Sequence, residues 1–180
     1  MGFQFHDLDL HTRALMLDEV DRDARLGVLY RSPRLSPRGH TLYLPALREA
    51  VCRGTEHTFA CAIASGRMLN THEISHRGGK VFAKRVPHNA HETLAEGELN
   101  RFYLRALCLR AQDEGYDQLE IYRAKQVASP RPESQARLGS RVDVRTLLRD
   151  LRKYVGVETT YNLPAPGSGL SARVPIQLAA

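Results

Sequence analysis

Lysine is scarce in this sequence, with four residues against 22 arginines, and cysteine occurs only three times. Cys52, Cys61 and Cys108 are an odd number with no C-x-x-C pair, which excludes a disulfide framework and a cysteine-based zinc site. In the apolar settings FACAIA and YLRALCLRA, Cys61 and Cys108 read as small core residues. No apolar run approaches the roughly 18 residues of a membrane span. The amino terminus MGFQFHDLDLH also lacks the basic segment and apolar stretch of a secretory signal, so the expectation is a cytoplasmic protein without a membrane partner. The patterns G-x-x-x-x-G-K-[ST], G-x-G-x-x-G and G-x-S-x-G are missing, which argues against the familiar nucleotide-binding loops and the α/β-hydrolase elbow.

What is present is a chain of 180 residues, 42% hydrophobic and 26% charged, enough to bury one core. Its formal charge of +6 is unevenly placed. Residues 1–30 hold Asp7, Asp9, Asp18, Glu19, Asp21 and Asp23 against Arg13, Arg22 and Arg25, a net −3, so the other 150 residues carry +9. An acidic first helix on a basic body favours a polyanionic partner, and the planar fork of arginine suits phosphate.

Periodicity predicts a helix over about 10–24 capped by Asp9, a basic loop over 31–40 containing two Ser-Pro pairs, and a helix over about 45–53 stopped by Gly54. The run HTFACAIAS, residues 57–65, has the length and flanks of a buried strand. Gly78-Gly79 between EISHR and KVFAKRV signals a two-residue hairpin turn. A long core helix over about 90–113 starts at an Asn89/Glu92 capping box and ends before Gly115; Gly97 inside it implies close packing or a bend. A strand over 118–125, a last helix over about 144–154 capped by Asp143 and a Pro/Gly-rich extended tail complete the chain. The expected fold is α+β: a small mixed or antiparallel sheet with a Gly-Gly hairpin, packed against three to four helices. Residues 1–161 form the single domain and 162–180 the tail.

His72-Glu73-Ile74-Ser75-His76 fits H-E-x-x-H and so resembles the zinc-binding helix of the zincin metallopeptidases. That resemblance implies zinc held by His72 and His76, Glu73 as general base, and a third ligand downstream, with Glu96 preferred over His88, His91 and Glu98. The motif needs a helix, because four residues along a strand span about 13 Å. The hairpin reading of the same residues therefore competes with it.

Arg77, Lys80, Lys84 and Arg85 surround the hairpin tip, with Phe82 among them, and Arg145, Arg149 and Arg152 recur at i, i+4 and i+7 on the last helix. Loop cations Arg131, Arg137 and Arg141 extend the basic surface. The function expected is non-catalytic binding of nucleic acid by hairpin and arginine stripe. The alternatives are a zinc-dependent hydrolase and a subunit of a homo-oligomer or larger assembly, joined through the acidic first helix and the tail.

Overall fold

The computed structural model describes residues 2–155, 163 and 167–175, and the boundary expected at 161/162 lies outside them. The fold is α+β, with six described helices and two small antiparallel sheets. Helix α1, Leu10–Arg25, starts where the Asp9 carboxylate accepts from the Thr12 amide. Helix α2, Pro37–Arg53, begins eight residues before its expected start, inside the anticipated basic loop. Ser36-Pro37 is its N-cap and first residue: the Ser36 hydroxyl accepts from the Gly39 amide, and proline needs no donor there. Pro45 thus lies within the helix, where it leaves the carbonyl of exposed Thr41 without its helical donor.

Helix α3, Glu56–Ser65, replaces the buried strand expected at 57–65. Thr55 and Thr58 close a reciprocal capping box, alternate alanines favour the helix, and Phe59, Ala60 and Ile63 fall on one buried side. Cys61 is consequently exposed, as is Cys52; only Cys108 is a core residue.

Helix α4, Ala90–Asp113, is the axis of the molecule and packs against α1, α3 and α6. Its expected capping box is not formed: Asn89 has ψ 13° and no side-chain cap, because the chain enters through a turn in which the Ala90 amide reaches the Pro87 carbonyl. Its far end closes as expected at Gly115, φ +80°, with the Tyr116 amide on the Ala111 carbonyl and the Gly115 amide on that of Gln112. At Gly97 a Cβ would meet nothing within 4 Å, so close packing does not explain that glycine.

Strand β3, Gln118–Arg123, lies between β4, Arg141–Asp143, and β5, Leu170–Arg173, all antiparallel. β5 belongs to the stretch expected as a tail; it is extended and buried in this chain's own sheet. Helix α5, Pro132–Gln135, is one turn, and α6, Val144–Lys153, is capped by Asp143. Leu147, Leu148 and Leu151 of α6 bury against α4.

Arg105 of α4 is fully buried, and Glu19 and Asp23, one turn apart on α1, clamp it. Its Nε donates to Glu19 at 2.6 Å and its second nitrogens to Asp23 at 2.5 and 2.8 Å. Arg152 of α6 reaches the same Glu19 carboxylate. Burial pushes the Glu19 carboxyl up, but Arg152 and Arg105 together hold it below the ordinary carboxylate value. Two of the four acids of α1, Glu19 and Asp23, are thus internal counter-charges, while Asp18 stays exposed. Asp9 serves Arg110, and Asp21 serves Arg48.

The remaining elements, β1, His72–Arg77, and β2, Lys80–Arg85, pair as a hairpin around Gly78 and Gly79, whose φ values are +57° and +74°. This ribbon is not packed beneath the helices: every residue of β2 is exposed.

Candidate nucleic-acid interface

The ribbon is attached to the body at its root. Leu35 and Leu69 form an isolated antiparallel bridge, the Asn70 amide donates to the Arg34 carbonyl at 2.8 Å, and Asn70 Nδ2 donates to the Leu35 carbonyl at 3.1 Å. Across the strands, the Val86 amide donates to the Thr71 carbonyl at 3.0 Å. Arg34 Nε then reaches up to Glu73 at 2.6 Å, and this guanidinium holds the Glu73 carboxyl below its usual value. The basic 31–36 segment therefore braces the hairpin.

Register separates the ribbon into two faces. His72, Ile74 and His76 oppose Arg85, Ala83 and Val81, while Glu73 and Ser75 oppose Lys84 and Phe82. Ile74 is 74% exposed and Val81 65%, so the first face presents an apolar strip edged by histidine and arginine. On the second, Lys84 and the partly exposed Phe82 lie with Lys80 near the tip. Arg77 ends β1 opposite Lys80. Among the described residues Lys80, Lys84 and Arg85 join no salt bridge, in contrast to Arg105, Arg110 and Arg152 of the body.

The zinc arrangement is not assembled. His72 and His76 lie on a strand, where their backbones are about 13 Å apart, too far for one ion with bonds of about 2 Å. Glu73, the expected base, is paired with Arg34. Glu96, the expected third ligand, is paired with Lys125 and lines a separate cavity beside Glu92 and His57. Among the described residues no group of three or more His, Cys, Asp or Glu could hold a metal ion.

The arginine stripe lies on one face of α6, as its spacing predicts, with its third member tied to an acid. Arg145, Arg149 and Arg152 all border a depression of about 410 Å³ with Gln112 and Lys153, but only the first two are exposed, and the Arg152 guanidinium is paired with Glu19. Helix periodicity placed these residues on one face but could not reveal the buried acid beneath the third. Nor do stripe and ribbon form one patch. The cleft at the ribbon root touches His91 in the first turn of α4, whereas the stripe touches Gln112 in its last, about 30 Å further along the helix.

That cleft was not anticipated from sequence. Its volume is about 630 Å³, and it is bordered by Arg67 and Arg85, by His72, His88 and His91, and by apolar side chains of α3 and the ribbon root. The residues come from two stretches, 63–72 and 85–91, that the hairpin brings together, and no single motif marks them; the one legible signal was the density of histidine between 72 and 91. No helix among the described residues is long and apolar enough to cross a membrane. No protein-family model, no curated protein and no solved structure matches the chain.

Proposed function

We propose that the protein binds nucleic acid without catalysis, using the β1–β2 ribbon and the cleft at its root as the primary contact. One observation carries this reading: the projecting ribbon gathers Lys80, Lys84 and Arg85 in solvent, none of them in a salt bridge among the described residues, while Arg105 at the centre of the body is tied to Glu19 and Asp23. Cations on a projecting two-stranded ribbon suit contact with a phosphate backbone, and Phe82 and the histidines add flat surfaces for bases. Arg145 and Arg149, at the other end of α4, form a secondary contact that only a longer strand would reach.

The test is fluorescence anisotropy with labelled DNA and RNA at two salt concentrations. Lys80→Glu with Arg85→Glu is expected to weaken binding at least tenfold at low salt and to lower the salt slope by about two. Arg145→Glu with Arg149→Glu is expected to cost less on short oligonucleotides. Unchanged affinity in the ribbon variant would remove the ribbon from the interface, and absence of binding at low salt would end the nucleic-acid reading.

A further inference from the structure

The cleft at the ribbon root offers more than a phosphate contact. At about 630 Å³ it falls within the range of small-ligand sites. Its apolar wall comes from Ile63, Leu69, Val86 and Pro87, and the rings of His72, His88 and His91 line it as well. The His72 Nδ1 lies 3.1 Å from the Thr71 hydroxyl, which orients that ring. A bare phosphate is satisfied by cations and gains nothing from such a wall. A nucleobase gains from both the wall and the flat rings. A paired base cannot use them unless it first leaves its stack.

Arg67 supplies a second, independent observation. It holds φ +51°, and among the described residues it is the one non-glycine at positive φ. It occupies the position just after the Gly66 C-cap of α3, with its amide on the Ala64 carbonyl and the Met68 amide on that of Ile63. Gly115 takes the equivalent place after α4. Glycine would relieve the backbone at 67, yet the residue there is an exposed arginine bordering the cleft. Backbone strain of this kind concentrates at ligand sites.

We infer that the cleft takes an unpaired base of single-stranded nucleic acid, with the phosphates on either side of that base held by Arg67 and Arg85. This rests on the nucleic-acid reading above and adds to it a preference for single strands. The experiment compares a labelled single-stranded 12-mer with its 12-base-pair duplex, using the full chain, Arg67→Gly and His91→Ala. The wild-type protein is expected to favour the single strand at least tenfold. Arg67→Gly is expected to lose at least fivefold of its single-strand affinity, to keep duplex affinity within twofold, and to unfold at no lower urea concentration than the wild type. His91→Ala, which leaves the backbone of 67 untouched, is expected to show the same selective loss, about threefold. Equal affinity for both probes, or an unaltered preference in both variants, overturns the cleft while leaving ribbon binding in place. Failure of both probes to bind overturns both proposals, and binding of the duplex alone overturns the cleft.

Discussion

The arginines packed around α4 and the cations of the β1–β2 ribbon are used in opposite ways. In the body, Arg105 is fully buried between two carboxylates, Arg152 shares one of them, Arg110 joins Asp9 to Glu114, and Arg13 donates to the carbonyls of Val51 and Gly54. Each guanidinium fork is used as a structural tie, which suits a residue able to reach two acceptors at once. On the ribbon, Lys80, Lys84 and Arg85 project from strands whose side chains touch little of the body, and Ile74 and Val81 remain in solvent beside them. The same residue types thus stabilise one region and leave the other chemically open. Net charge alone does not tell these apart: of the cations in residues 31–180, Arg48, Arg105 and Arg152 are answered by acids of the first helix.

Substitutions sharpen this contrast. The largest effect is expected for Arg105→Ala, which empties a buried position and leaves Asp23 and Glu19 with less than their full set of partners. Stability to urea is expected to fall by about 3–5 kcal/mol. A loss below about 1 kcal/mol would show that the clamp is dispensable. Next comes Gly79→Ala in the ribbon turn, where the φ of +74° opposes a side chain at a cost of about 1–2 kcal/mol. Because the ribbon packs so little against the helices, amide exchange should accelerate in Val81–Lys84 alone while the core of α4 keeps its protection. Acceleration throughout would mean that ribbon and body unfold as one unit. The smallest effect is expected for Gly97→Ala: with open space where the Cβ would stand, helix propensity should add about 0.5–1 kcal/mol of stability. A destabilised variant would point to a contact at that site.

Much of the body was legible because its signals are local. Asp9 and Asp143 cap α1 and α6, α4 spans the expected 90–113, and Gly78-Gly79 take the positive φ that the turn requires. Where local signals conflicted, the reading failed. The apolar run at 57–65 has no period of its own within so few residues, and the Thr55–Thr58 capping box, not hydrophobicity, tips it to a helix. Ser36-Pro37 looked like loop punctuation because Pro45 hid the continuity of α2 behind it. H-E-x-x-H carried a helical meaning that the adjacent Gly-Gly turn denied, since both could not hold for the same backbone.

Composition, caps and glycine positions were sufficient to specify the element types of α1, α4, α6 and the ribbon, because each depends on contacts within a few residues. Tertiary structure alone decided which cations are open. Whether an arginine meets an acid depends on residues as distant in sequence as Glu19 and Arg152, and their approach follows from how α1 and α6 pack on α4. The cleft likewise exists only because the end of α3, the root of the ribbon and the first turn of α4 converge on one place.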